Sequence, residues 1–395
     1  MTAASDVPLQ GSEPAARIEV VADRRCRSGA HGRSSRQRGF ERPSRPPASG
    51  WPVPLCVARS LSTAVTTVVD QELSDLEPYR RQLTAYCYRM LGSPQDAEDA
   101  VQDTLVRAWR ALGRFEDRAG LRPWLYRIAT NVCLDMLKGR GRRALPMDIA
   151  PAGTGRRWET SHEPALGTPR PEATWVQPIP DHLVSSPGGD PADVAVSRES
   201  IRLAFIAALQ HLVPRQRAVL ILRDVLSWRT NEVAKLLETS EDAVNSTLRR
   251  ARSALAAANL DTVPTEPAEA DREVLYRYIE AFERYDVESL VALLHEDATL
   301  NMPPFELWLQ GIPDIRRFLA ALEVEGGRDR VIQVAANGCP ALAVYRPAGP
   351  SGALEPFEIH VLEIADGRIA AIHAFLEPAL FPVFGLSPTP ESINE

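Results

Sequence analysis

PQDAEDAVQDTLVRAWRALGRFEDRAGLRPWLYRIATNVCLDMLKGRGRR, residues Pro94 to Arg143, decides how the rest of the chain is read. Two helical patterns of different chemistry flank a short polar loop. In the first, Val101, Leu105, Trp109 and Leu112 recur at helical spacing and define one apolar face. Asp96, Asp99 and Asp103 fall on another side, and acids early in a helix suit the positive end of its dipole. The second pattern can open at Pro123, a residue favoured in a first helical turn. Trp124, Arg127, Ile128, Asn131 and Lys138 then share a broad stripe, and Lys138, Arg140, Arg142 and Arg143 make a basic tail. One helix suits a protein surface and the next a nucleic acid.

Upstream, Leu76, Tyr79, Leu83, Tyr86 and Met90 repeat at three and four, and Gly92-Ser93-Pro94 supplies a stop and a new start. Residues 74–143 are therefore expected to form a small helical bundle. Residues 1–65 are rich in Arg, Pro, Ser and Gly and keep no period, so disorder is the first expectation. A basic arm on DNA and a translation start downstream, near Val65, are the other readings. Residues 144–192 hold many prolines and glycines and are expected to be a linker, too long for an ordinary loop. Trp158 and Trp175 lie in it, and a tryptophan in a tether anchors onto a partner or onto a neighbouring domain.

Residues 193–258 return to helix. Ile201, Phe205, Ala208, Leu209 and Leu212 form one stripe, and Val219, Leu220, Leu222 and Val225 continue the core. In RTNEVAKLLETSEDAVNSTLRRARSAL, Val233, Ala234, Leu236 and Leu237 face inward on a short helix, and Thr239 or Ser240 caps the next. Ala243, Val244, Leu248 and Ala251 form that helix's buried side, opposite Asp242, Asn245, Ser246, Arg249 and Arg250. This is the pattern of a helix-turn-helix. Residues 259–270 form a second linker, and residues 271–395 begin with two helices. The period then shifts toward two near 298–302, 331–336, 342–345, 357–364 and 369–376, with a helix near 312–322. Helices followed by a curved antiparallel sheet make an α+β domain, and Asp366-Gly367 signals a two-residue hairpin.

Composition narrows the function. A chain of 395 residues with 33 prolines needs two or three domains joined by linkers. Its net charge of -7 argues against a uniform nucleic-acid coat, so any DNA contact must come from local patches. Cys26, Cys56, Cys87, Cys133 and Cys339 are odd in number and lack metal spacing. Neither a metal site nor a disulfide framework is expected, no cofactor is nominated, and a reducing cytoplasm is the natural setting. No apolar run approaches a membrane span, so no membrane role is expected.

DAEDAVQDTLVRAW, the loop RFEDRAG and LRPWLYRIATNVCLDML together resemble region 2 of the extracytoplasmic-function (ECF) group of sigma-70 factors. Leu209 to Leu255 resembles region 4, and the order of the two matches that group. The tail resembles the cone-shaped SnoaL-like fold, which also terminates some sigma factors. Trp175-Val176-Gln177-Pro178-Ile179-Pro180 loosely matches a Trp-Leu-Pro-Glu-Pro-like linker motif of some relatives. The implied fold class is multidomain: two all-α sigma domains, a region 2 bundle and a region 4 helix-turn-helix, followed by an α+β SnoaL-like cone.

The resemblance implies a transcription initiation factor, not an enzyme, whose partners are core RNA polymerase, through the β′ clamp helices and the β flap, and promoter DNA. No anti-sigma factor is nominated. Asp96, Asp99, Gln102 and Asp103 would meet the β′ clamp; periodicity alone favours a solvated helix face, and the resemblance reverses that order for the group. Trp124, Arg127, Asn131 and Lys138 would engage the −10 element. Asn131 would hold a flipped base beside the Phe115–Gly120 loop, Arg127 and Lys138 would touch phosphate, and Trp124 fits a core role as well. Asn245, Ser246 and Arg249 would read the −35 element, with Arg250 and Arg252 on phosphate. In the cone domain the hairpin register sets His360 opposite His373, with Phe375 further along, as a possible pocket or a structural pair. Two other functions compete: a helix-turn-helix regulator that recruits no polymerase, and a SnoaL-type enzyme under helical control.

Overall fold

A computed structural model describes residues 76–112, 120–153, 166–185, 198–256, 269–322, 329–349 and 352–390, all within one compact unit of the chain, Arg59–Glu395. Residues 1–65, Trp158 and most of the Phe115–Gly120 loop lie outside the described residues.

The first bundle is α1 (Arg80–Leu91), α2 (Pro94–Leu112) and α3 (Leu121–Met136). Gly92 ends α1 in the left-handed region at φ 73°, with its N–H on the Tyr88 carbonyl, so the chain reverses directly into α2. Leu83, Tyr86, Met90, Val101, Leu105 and Leu125 fill the interior as their spacing requires. Trp109 departs from the expected apolar face and is one of the large hydrophobic residues left in solvent. The next helices are α4 (Leu203–Gln210), α5 (Pro214–Leu220), α6 (Thr230–Leu236) and α7 (Glu241–Ala256). Ser240 is the cap of α7, its Oγ accepting the Ala243 N–H at 3.1 Å.

The third part holds α8 (Glu269–Glu283), α9 (Val287–Ala292) and α10 (Ile312–Ala321) with strands β1 (Leu294–Asn301), β2 (Trp308–Gln310), β3 (Arg330–Ala336), β4 (Cys339–Ala348), β5 (Ala353–Ala365) and β6 (Arg368–Phe375). The sheet order is β2-β1-β6-β5-β4-β3. Its β1–β6 pair is parallel, which corrects the wholly antiparallel expectation, and β2 was not legible in the sequence. Asn337-Gly338 makes a second two-residue hairpin, with φ of 54° and 71° as such turns demand.

Both sheet faces are covered. Leu342, Val344, Leu362 and Ile372 pack beneath α8 to α10. Ala341, Ala343, Tyr345, Ile359, Val361 and Phe375 enter one core with the first bundle, the helix-turn-helix helices and the segment between them. Burial on both faces explains why CPALAVY in β4 is a nearly continuous apolar run.

The expected linker is a packed strap where it is described. Trp175 is 2% exposed, and Val176 and Ile179 are fully buried. Gln177 donates its N–H to the Gly92 carbonyl and accepts from the Tyr88 hydroxyl at 2.8 Å. At the far side Asn337, fully buried in the β3–β4 turn, joins all three parts. Its Oδ1 accepts the Ile179 N–H at 2.9 Å, while Nδ2 donates to the Tyr88 hydroxyl at 2.7 Å and the Ile201 carbonyl at 2.5 Å. Arg143 ties the near end to the first bundle. It donates to the Glu172 and Trp175 carbonyls and to Asp96 Oδ2 at 2.7 Å. Burial pushes the Asp96 carboxyl up, but Arg143 and Arg140 outweigh it and hold the group below its ordinary value.

Two outcomes follow. Asn337→Gly keeps the turn geometry but strips buried partners from Ile179 and Ile201, and should cost about 2–4 kcal/mol in urea unfolding; an unchanged midpoint would remove Asn337 from the junction. A carboxyl with a lowered native pKa stabilises fully above its unfolded value of about 3.9 and loses that contribution as pH falls through the native one. The melting-temperature advantage of wild type over Asp96→Asn should therefore stay level from pH 7 to about pH 5 and shrink below it. A gap that persists undiminished under acid would refute the ion pair.

Candidate nucleic-acid interface

Helical geometry puts Trp124, Arg127 and Asn131 within about 60° of one another on α3, at about 100° per residue. Arg127 and Asn131 are exposed, whereas Trp124 is half-buried against the core, so the stripe grades from packing into solvent. Lys138 lies beyond the helix end and pairs with Asp135 at 2.7 Å. Arg127 is bound within the chain, to Glu238 Oε1 at 2.5 Å. Glu238 sits in the turn of the helix-turn-helix with φ 51°. Close by, Arg122 lies over the rings of Tyr126 and Trp228, whose centroids are 5.1 Å apart. One flank of α3 is thus docked on the α6 end of the helix-turn-helix. Gly120 is the described member of the expected loop wall.

On α7 Val244, Leu248 and Ala251 are buried, as the pattern predicted, and Ala243, expected with them, is half-buried. Asn245 and Arg249 are exposed and make no hydrogen bond or ion pair among the described residues, which leaves their donors and acceptors available. Asp242, Asn245, Ser246, Arg249 and Arg252 line a shallow concavity along this face. Ser246 turns its hydroxyl back to the Ala243 carbonyl at 3.0 Å, and Arg250 reaches Thr247. Arg252 is held by both oxygens of Asp224, at 2.9 and 2.7 Å, and that bond raises its pKa further.

Along α2, Asp99, Gln102 and Asp103 are exposed, with Asp103 paired to Arg107 at 2.8 Å. Asp96 is paired within the chain, to Arg140 at 3.0 Å and Arg143 at 2.7 Å. Val106, 42% exposed, and Trp109, 36% exposed, extend the same solvent face. Pattern reading missed them because Trp109 fits helical spacing with the core residues as well as with this edge. Their position makes the face apolar at its centre and acidic at its start.

The expected histidine pair does not form. Ala365 pairs with Arg368 as a two-residue hairpin requires, but the register slips between Glu363 and Ile364, and His360 pairs with Ala374 while Val361 pairs with His373. A slip of one residue moves a side chain to the opposite face. His360 therefore faces α8, where the Tyr278 hydroxyl meets its Nδ1 at 3.2 Å and its Nε2 meets Glu358 at 3.1 Å. His373 faces the other way with Phe375, between Asn301 at 2.8 Å and Glu363 at 3.2 Å. Both histidines are buried, in separate polar clusters. Among the described residues no group of three His, Cys, Asp or Glu side chains could hold a metal.

Comparison with known proteins matches these parts one by one. Residues 76–143 fit the model for sigma-70 region 2, residues 202–255 that for sigma-70 region 4, and residues 275–372 that for a SnoaL-like domain. The ECF RNA polymerase sigma factor SigG of Mycobacterium tuberculosis is 48% identical over 318 residues, covering 78% of this chain and 82% of that protein. SigJ of the same organism is 27% identical over 327 residues, covering 78% and 93%. The crystal structure of SigJ matches with a TM-score of 0.53 at 24% identity, over 80% of this chain and 99% of that one, and so shares the three-part fold. With two sigma regions in order and a SnoaL-like domain behind them, the chain belongs to the ECF sigma factors of RNA polymerase.

Proposed function

We propose that this sigma factor, which binds core RNA polymerase and directs it to promoters, does so through three separate surfaces. The solvent face of α2, with Asp99, Gln102, Asp103, Val106 and Trp109, meets the β′ clamp; acids steer the encounter and the exposed apolar centre supplies contact area. Asn131 on α3 receives a base that has left the stack at the −10 element, since its amide both donates and accepts. Lys138, and Arg127 once released from Glu238, neutralise phosphate. Asn245 and Arg249 on α7 read base edges at the −35 element, with Ser246 beside them and Arg250 and Arg252 on the backbone. The observation that carries this reading is the pair of exposed reader faces, on α3 and on α7, in one chain. Its site of action is the cytoplasm, where polymerase and promoter are.

The same geometry supports a regulatory role for the SnoaL-like domain, in binding rather than catalysis. Elements about 25 base pairs apart are about 85 Å apart on B-form DNA at 3.4 Å per step. In the structure Arg127 of α3 touches Glu238, and α7 begins three residues later. Regions 2 and 4 therefore have to separate before both elements are engaged. The domain that clamps them, through Asn337 and the apolar outer face of the sheet, opposes that separation.

Run-off transcription with purified core polymerase tests the assignment. Asn131→Ala should cut open-complex formation at least tenfold while leaving core binding within twofold, and equal loss of both would refute the base contact. Arg249→Ala should weaken promoter binding by about 1–3 kcal/mol and relax selectivity at one position of the −35 element. A uniform loss on every sequence would make Arg249 a phosphate contact instead.

A further inference from the structure

The cone domain holds a cavity of about 70 Å³ between α8, α9 and α10 and the inner face of the sheet. Its walls are apolar, with Phe282, Leu290, Leu300, Met302, Phe318 and Ile372 among them. One end is polar and carries Glu358, His360 and Tyr278, with Arg346 alongside. Glu358 and His360 are almost fully buried, which costs several kcal/mol for a carboxylate unless its partners offset it. Burial would push the Glu358 carboxyl up, but His360 at 3.1 Å and nearby Arg346 outweigh it and keep the group ionised.

The hydrogen bonds at this end are directional. His360 Nε2–H donates to Glu358, and its Nδ1 meets the Tyr278 hydroxyl at 3.2 Å. Arg346 spends Nε and one terminal nitrogen on Asp329 and stacks on the Phe357 ring. What the Glu358 carboxylate still offers the cavity is lone pairs. Tyr285, also in the lining, ends α8 at φ 57°, with Asp286 N–H on the Ala281 carbonyl at 2.9 Å. Glycine is the usual residue at that helix end, and a bulky side chain there costs about 1 kcal/mol, a strain that clusters at ligand clamps.

We propose that this cavity is a binding site for a small neutral molecule, mostly apolar and carrying one hydrogen-bond donor that Glu358 accepts. At about 10–15 Å³ per water-sized unit, the space suits roughly five to seven non-hydrogen atoms, a short-chain or single-ring alcohol. A small apolar chamber with a few convergent polar groups is the ordinary form of such a site. The assignment is independent of how the chain meets polymerase or DNA.

Five methionines make the test direct, because Met302 lines the cavity and Met90 lies in the core of the first bundle. The full-length protein, labelled at its methionine methyls, is titrated with cyclopentanol and with methylcyclopentane, which has equal size and no donor. Cyclopentanol should shift the Met302 methyl saturably and leave Met90 unmoved, with methylcyclopentane at least tenfold weaker. Leu319→Trp, which fills the chamber from its edge, should abolish the shift. Glu358→Gln, which keeps the shape but weakens the acceptor, should reduce the alcohol's advantage severalfold. If Met90 shows that Leu319→Trp has not folded, the Glu358→Gln comparison decides. No saturable shift, equal binding of the two probes, or an undiminished advantage in Glu358→Gln would each overturn the proposal.

Discussion

A sheet with two apolar faces has to be covered twice, and here the second cover is the transcription machinery itself. The three helices of the cone domain protect the inner face. Ile359, Val361 and Phe375 on the outer face lie in one core with regions 2 and 4, while Tyr345 is covered by the C-terminal segment, its ring 5.0 Å from that of Phe381 and its hydroxyl donating to the Ser387 carbonyl. At roughly 25 cal/mol per Å² of apolar surface, a few buried aromatic and branched side chains hold such a contact firmly. The strap between the sigma regions is sealed into the same junction, so an expected tether becomes a structural member.

The polar groups at this junction decide its geometry, where the apolar ones only decide that it forms. Asn337 reaches the strap, region 2 and region 4 because a type of turn with two left-handed residues puts its short amide at the tip of a hairpin. Arg89 adds a second crossing, bonding the Ser200 carbonyl and hydroxyl, and burial lowers its pKa to about 10. Hydrogen bonds add little net stability when made, but they are expensive to leave unmade in a dry interface. That asymmetry selects one arrangement of the three parts.

Helix periods and turn residues made the helical bundle, the helix-turn-helix and the α+β class legible, because each depends on local spacing. Asn245 and Arg249 were legible for the same reason: they oppose Val244, Leu248 and Ala251 on one amphipathic helix. His360 and His373 were not, because one extra residue on β6, Ala370, reverses the face, and no local pattern announces it. The ion pair of Asp96 with Arg143 was not legible either, because it needs the basic tail to fold back across a gap of 47 positions. Trp175 was ambiguous in the letters, since an anchor for another protein and an anchor within the chain have the same composition.

The closed arrangement sets a threshold for its own release. Core polymerase and promoter DNA can shift the population of an open state only by their excess affinity for it. Moving a two-state balance from 1:99 to 99:1 takes about 5.5 kcal/mol of that excess. On the proposed assignment some of it comes from the α2 face, whose Val106 and Trp109 are exposed in the closed form. The α3 flank is different, because Arg127 and its aromatic neighbours are occupied by region 4 until the parts separate. On the proposed assignment, docking on polymerase and simultaneous engagement of both promoter elements are separable steps, and the SnoaL-like domain would act between them by stabilising the closed arrangement.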